Sequence, residues 1–194
     1  MERELLMTGI GGQGVQLAAQ LLAKAATGSD RHVQLFGSYG GMMRGGNTDA
    51  TLIIGDQPVE APPMVSSAWS ALVMHHEFAE PTLRRLRTEG LLVVNTSVVT
   101  SFEVHPSVQV LAFPASELAL KLGAAAAATM VALGAYATVT GIVALEELID
   151  TLPAVLPSYR SQHIESNARA LREGAAAALE SGVSFAAWPE TVNA

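Results

Sequence analysis

The chain has no cysteine among its 194 residues. That excludes a disulfide, and it excludes any iron–sulfur cluster held through its own thiolates. Aromatic residues make up only 5% of the chain and charged residues only 15%. The core must therefore be built largely from Ala, Val and Leu, and so little charge hints at a surface partly covered by other subunits. Lys and Arg number 11 against 18 Asp and Glu, a net charge of −7, which speaks against nucleic acid as a partner. The five histidines do not fall at zinc-site spacing, and the adjacent His75 and His76 would face opposite ways on a strand. No metal site is expected. The opening Met1-Glu2-Arg3-Glu4 is unlike a secretory leader. The longest apolar stretch, Gly123 to Leu145, is rich in Ala, Thr and Gly and reads as a buried helix, not a membrane span. A cytoplasmic location follows as the expectation. What the chain does have is 49% hydrophobic residues, enough for a proper core and one domain over residues 1–194, with a tail from about 183.

Glycine is concentrated where it carries information. Thr8-Gly9-Ile10-Gly11-Gly12-Gln13-Gly14 follows the apolar Leu5-Leu6-Met7 and precedes Val15, Leu17, Ala18, Leu21, Leu22 and Ala25, spaced for one helix face. The glycines thus sit on a strand-to-helix turn, the setting in which Gly-x-Gly-x-x-Gly lets a backbone approach an anion at a helix start. A dinucleotide site also wants an acid at the end of the second strand. Here that strand, Val33–Phe36, runs into Gly37-Ser38-Tyr39 with no acid, which argues against a nicotinamide cofactor. The glycines either bind a ligand or only pack helix against strand.

Further strands are expected at Thr48–Ile54, Ala71–Met74, Leu91–Val94 and Val108–Phe113. Helices are expected from Glu80 through Arg87 and after Pro114, with Ser116 as N-cap. Pro62-Pro63 marks an extended loop. The last third reads as helices divided at Gly123, Gly141 and Leu152-Pro153, closing with Ser161 to Ser181, whose wet side is Glu165, Arg169, Arg172 and Glu173. The fold class is α/β: a Rossmann-like three-layer fold with a mainly parallel sheet and a helical C-terminal third. The strands Val33–Phe36 and Thr48–Ile54, joined without a helix, suit an antiparallel pair at one edge. The first two strands are expected as parallel neighbours. That would bring Gln13 and Arg44 together at the C-terminal edge of the sheet, facing a subunit boundary.

A second glycine loop, Ser38-Tyr39-Gly40-Gly41-Met42-Met43-Arg44-Gly45-Gly46-Asn47, is longer than a hairpin needs and pairs a cation with close-approach glycines. With both loops in view the chain resembles the gamma subunit of the 2-oxoacid:acceptor (ferredoxin) oxidoreductases of the pyruvate, 2-oxoglutarate, ketoisovalerate and arylglyoxylate type. That family carries Gly-x-Gly-Gly-Gln-Gly followed by Ser-Tyr-Gly-x-x-x-Arg-Gly-Gly. Gly90 to Ser97 resembles its strand ending in Asn-Ser-Ser, and Thr129-Met130-Val131-Ala132-Leu133-Gly134 its Asn-Met-Val-Ala-Leu-Gly helix. Asp56-Gln57-Pro58, Asn167 and Gly174 also match. The resemblance covers about residues 4 to 182. Two departures stand out: the middle loop has no Pro-Glu before Met43-Arg44, and Thr129 replaces an Asn.

The resemblance implies a non-catalytic subunit, inert alone, of a complex that oxidatively decarboxylates a 2-oxoacid to an acyl-CoA. The complex is expected to use thiamine diphosphate, Mg, iron–sulfur clusters and CoA, none of them held by this chain alone. The implied partners are thiamine-binding subunits, a ferredoxin-like subunit, the 2-oxoacid and CoA. No residue of this chain is assigned to catalysis. The candidate contact residues are Gly11, Gly12, Gln13, Gly14, Ser38, Tyr39, Arg44, Gly45, Asn95 and Thr96. Several keep two readings. Gln13 either meets a ligand or caps its own loop; Arg44 meets a phosphate or a partner's carboxylate; Asn95, Thr96 and Ser97 either face a ligand or cap a turn. Tyr39 is an interface anchor or core, Met42 and Met43 suit interface filling, and His75 and His76 are an acid–base group or core and interface histidines. Two alternatives remain beside the subunit reading: a stand-alone nucleotide-binding oxidoreductase and a purely structural subunit.

Overall fold

In the computed structural model, Leu5-Leu6-Met7 lies inside a longer strand, β1 (Glu2–Ile10), whose residues from Glu4 to Gly9 are all buried. A run apolar on both faces belongs at the centre of a sheet covered on both sides. The structure describes residues 1–39, 46–60 and 65–188. β1 leads through the glycine turn to α1 (Val15–Gly28) and then to β2 (His32–Tyr39), β3 (Asn47–Gly55) and β4 (Ala68–Val73). After the short α2 (Ala79–Leu83) come β5 (Leu86–Asn95), β6 (Gln109–Phe113) and the helices α3 (Ala115–Lys121), α4 (Ala128–Thr140), α5 (Leu145–Val155) and α6 (Ile164–Ser181).

Among the described residues six strands form one sheet in the order β2-β3-β1-β4-β5-β6. β1, β4, β5 and β6 run parallel to one another, whereas β3 is antiparallel to both β1 and β2. The antiparallel edge pair is present as expected. The expected β1–β2 adjacency is not: β3 lies between them, pairing Ile10 with Asn47 and Thr48 with Tyr39. Two antiparallel steps still leave β1 and β2 running the same way, so both end at one edge of the sheet, two strand spacings apart.

Side-chain alternation divides the core. Leu5, Met7, Leu91 and Val93 face a large cluster under α1, α3, α4, α5 and α6. Leu6, Leu92 and Val94 face a smaller one closed by α2 and the irregular segments around Val65, Val99 and Val108. α4 is buried on nearly every residue, in keeping with a sequence that has no charged residue and small or apolar residues on every face. It touches α6 through backbone: a methyl on Gly134 would strike the Leu171 carbonyl, and one on Gly174 the Val131 carbonyl. No described helix is long and apolar enough to cross a membrane.

Three local expectations are corrected. The helix from Glu80 stops at Leu83 instead of reaching Arg87, because Ala68 N–H donates to the Arg85 carbonyl (2.7 Å) and Leu86 already pairs with Ala68 in the sheet. Ser116 is not the cap of α3; that position is Pro114, and Ser116 bonds Asn95 instead. Pro153 does not divide a helix. It sits in the last turn of α5, where the missing N–H costs one bond and Leu156 N–H still reaches the Leu152 carbonyl (3.0 Å). The final helix starts at Ile164, after a 3₁₀ turn over Ser158–His163.

The opposite, N-terminal end of the parallel strands is closed by side chains. Glu4 accepts from Arg87 Nη2 (2.6 Å) and from Trp69 N–H (3.2 Å). Arg3 stacks on Trp69, which packs on Phe185 at 4.8 Å. Residues 183–188, read above as the beginning of a tail, lie along this end. Phe185 and Ala187 N–H donate to Val139 and Thr140 carbonyls, and Trp188 Nε1 donates to Ile142.

Candidate functional site

The glycine turn is shaped by backbone needs. Gly12 has φ 102° and Gly14 φ 81°, a left-handed region that other residues enter only with strain. A side chain on Gly9 would strike Gln13 Oε1 at 2.6 Å. Gln13 occupies that space because its amide braces the turn: Oε1 accepts from Ile10 N–H (2.9 Å) and Nε2 donates to the Met74 carbonyl at the end of β4 (3.3 Å). The Gln13 carbonyl accepts from Thr129 Oγ1 (2.5 Å).

The two glycine loops meet at the same sheet edge, where Gly11 N–H donates to the Gly46 carbonyl (2.9 Å). Arg44, Gly45, Met42 and Met43 lie outside the described residues, as does Pro62-Pro63, and of Tyr39 only the backbone is described. Ser38 is exposed on β2 opposite Asp49. The Asp49 carboxylate is tied down by Thr8 Oγ1 (2.6 Å) and Asn47 Nδ2 (2.7 Å). Gln16 Nε2 donates to the Asp49 carbonyl (2.6 Å) and lies over Gly37, which has no room for a side chain.

A cavity of about 850 Å³ opens beside the glycine turn. Among the described residues, the starts of three long helices form its wall: Gly14 to Leu17 of α1, Gly123 to Ala127 leading into α4, and Arg160 to Asn167 leading into α6. None of the three has a side-chain N-cap. In α1 the first intrahelical bond runs from Ala18 N–H to the Gly14 carbonyl, so Val15, Gln16 and Leu17 N–H groups have no helix partner. Each helix start carries about half a positive charge. Arg160 adds a full one, and among the described residues no carboxylate lines the wall or pairs with Arg160. In a chain of net charge −7, this is a local concentration of positive potential, with His163, Gln162, Ser166 and Asn167 as further polar groups on one side.

Of the residues singled out in the sequence, Gly11, Gly12 and Gly14 line this cavity and Gln13 stands behind it. Asn95 and Thr96 lie elsewhere, at the end of β5. Asn95 is buried, its Oδ1 accepting from Ser97 and Ser116 N–H and its Nδ2 donating to Ser116 Oγ (2.8 Å), the turn-capping alternative. Thr96 N–H donates to the Phe113 carbonyl. His75 and His76 stack at 4.5 Å just after β4, and burial, then the neighbouring His76, hold His75 below the ordinary histidine range. Among the described residues no group of three metal-ligating side chains comes together. Sequence reasoning missed Arg160 and the Gly123–Ala127 wall. The one usable signal was Pro157-Ser158 ahead of Arg160, a helix-start pattern carrying a cation instead of an acid.

Comparison with known proteins adds four findings. Residues 4–177 match the family described as pyruvate ferredoxin/flavodoxin oxidoreductase. The 2-oxoglutarate synthase subunit KorC of Methanothermobacter marburgensis is 30% identical over 164 residues, 81% of this chain and 88% of that one. The indolepyruvate oxidoreductase subunit IorB of Methanothermobacter thermautotrophicus is also 30% identical, over 93% of this chain and 100% of its own length. In structure the chain is similar to the gamma subunit of keto/oxoacid ferredoxin oxidoreductase from Geobacter sulfurreducens, with a TM-score of 0.78, 29% identity and coverage of 93% of this chain and 98% of that one.

Proposed function

This chain belongs to the pyruvate ferredoxin/flavodoxin oxidoreductase family, and on that premise we propose that it is the gamma subunit of a cytoplasmic, multi-subunit 2-oxoacid:acceptor oxidoreductase. Residues 1–194 act as one domain, inert alone. Thiamine diphosphate with Mg, and the iron–sulfur clusters, supply decarboxylation and electron transfer from partner subunits, since this chain has no cysteine to hold a cluster. Its own part is to receive CoA at the entrance to their site. The supporting observation is the cavity in which three helix starts without side-chain caps meet Arg160, with no carboxylate among the described residues that line it. Phosphate groups suit such a site: each helix start contributes about 0.3–1 kcal/mol toward an anion, and Arg adds paired N–H donors.

In this reading Gly12 and Gly14 bring the turn close to the phosphates, and Gly11 holds Gly46 beside the turn. Ser38, exposed at the end of β2, faces the subunit boundary; Tyr39, Arg44 and Gly45 keep the contact role that the sequence suggests for them. Gln13, Asn95 and Thr96 keep the two strand ends in shape. The 2-oxoacid is selected mainly on other chains; equal identity to subunits named for 2-oxoglutarate and indolepyruvate enzymes fits that division. The test is Arg160→Ala in the assembled complex. The KM for CoA should rise about five-fold with the KM for the 2-oxoacid unchanged. An unchanged KM for CoA would overturn this reading.

A further inference from the structure

Thr129 is buried at the first turn of α4, 116 residues from Gln13 in sequence. Its hydroxyl donates to the Gln13 carbonyl at 2.5 Å, inside the glycine turn. We propose that Thr129 is a positioning residue: it fixes the start of α4 against the start of α1, and so sets the width of the anion-binding cavity between them. This rests on the reading of that cavity as the CoA site.

Three observations carry it. First, the turn is braced from every other side. Gln13 Oε1 and Nε2 hold Ile10 and Met74, and Gly11 holds Gly46, but those bonds fix it to the sheet and not to the helices. The Thr129 bond joins the turn to the helical layer. Second, the two segments it joins are both cavity walls, Gly14 to Leu17 on one side and Gly123 to Ala127 on the other. The Ala-rich segment has no polar side chain of its own to hold it there. Third, α4 is itself locked to α6 by the backbone contacts at Gly134 and Gly174, so a fix between α1 and α4 also places Arg160 and the third helix start. A site built from helix ends binds an anion well only when those ends are held at one spacing, because preorganised donors need no rearrangement on binding. A threonine hydroxyl reaches the turn carbonyl directly, and its methyl group fills the buried side. That gives position 129 a physical role in this chain.

The experiment uses two variants of the full chain in the assembled complex. Thr129→Val removes the hydroxyl and keeps the shape; Thr129→Ser keeps the hydroxyl. The CoA KM should rise about five-fold in the Val variant and return to within two-fold in the Ser variant. In both, KM is read on complex that has assembled. A merely structural role would lower the yield of complex and leave the KM of what assembles unchanged, which would overturn the proposal. Hydrogen exchange supplies the second readout, taken without CoA. The amides of Gly12 to Gln16 should exchange faster in Thr129→Val than in wild type or Thr129→Ser; equal exchange would also overturn it. If the wild-type complex shows no CoA binding at this cavity, the CoA reading falls, and the exchange comparison alone decides whether Thr129 fixes the turn.

Discussion

The two ends of the parallel strands are built by opposite means. At the N-terminal end, charged and aromatic side chains close the sheet: Glu4 against Arg87, Arg3 over Trp69, Phe185 on Trp69, and the last described residues laid across them. At the C-terminal end, glycines and alanines keep side chains away, and the polar groups on offer are mostly backbone N–H groups of uncapped helices. One end satisfies its polar groups internally. The other leaves them for something else, and leaves helix starts without the capping that normally contributes about 1 kcal/mol each. The first end is closed by its own contacts and the second is the one proposed to bind, with α4 running between them. Its start lines the cavity, and its last residues, Val139 and Thr140, bond the closing segment.

The strongest way to break that division is through α4. Gly134→Ala drives a methyl into the Leu171 backbone, and the helices cannot separate without disturbing both ends. Urea unfolding should show a loss of about 3 kcal/mol, together with weaker CoA binding. A loss under 1 kcal/mol would mean that the helix pair has slack. A smaller and one-sided effect belongs to the closed end. Glu4→Leu strands the Trp69 N–H and the Arg87 guanidinium and should lower stability by about 2 kcal/mol, while the CoA KM of the assembled complex stays at its wild-type value. A raised KM would show the two ends to be coupled.

The smallest effect is in pH. Burial and His76 hold His75 below its ordinary value of 6.5, so the unfolded chain takes up the proton first. Stability is then complete above pH 6.5 and declines as the pH falls through the folded value. His76, beside it, and Glu77, which follows, are the charges that face it. In His75→Gln the unfolding curves at pH 7.5 and pH 5.5 should lie closer together than in wild type; an unchanged gap would assign the pH dependence to other groups.

How much of this was legible in the sequence depends on what each part is made from. The glycine turn was readable because positive φ at a strand-to-helix joint demands glycine, and Gly12 and Gly14 stand where that demand falls. The central strands were readable because Leu5 to Met7 and Leu91 to Val94 are apolar on both faces. Strand order was not. Periodicity identifies β3 as a strand but carries no term for where it inserts, and the pairing of Ile10 with Asn47 is a matter of register. The cavity was hidden for a different reason. Its wall is alanine, glycine and main chain, and its cation, Arg160, lies about 150 residues from the turn it faces. Main-chain N–H groups leave no mark on a sequence except where glycine or a cap betrays the bend. Asn95 shows the converse: a polar residue conspicuous at a strand end, wholly engaged by Ser97 and Ser116.

The insertion of β3 has one more consequence. In a doubly wound fold the Gly-x-Gly-x-x-Gly turn greets a guest, a dinucleotide whose ribose rests at the end of the strand next to the first. Here that neighbour is β3, running the other way, and what it presents at this edge is its own beginning, Asn47 and Thr48. The Gly11 N–H, free to meet a pyrophosphate in such a fold, is already taken by the Gly46 carbonyl. The polypeptide lodges in the berth that a nicotinamide dinucleotide would need, and the motif is left to greet a visitor from the helix side alone.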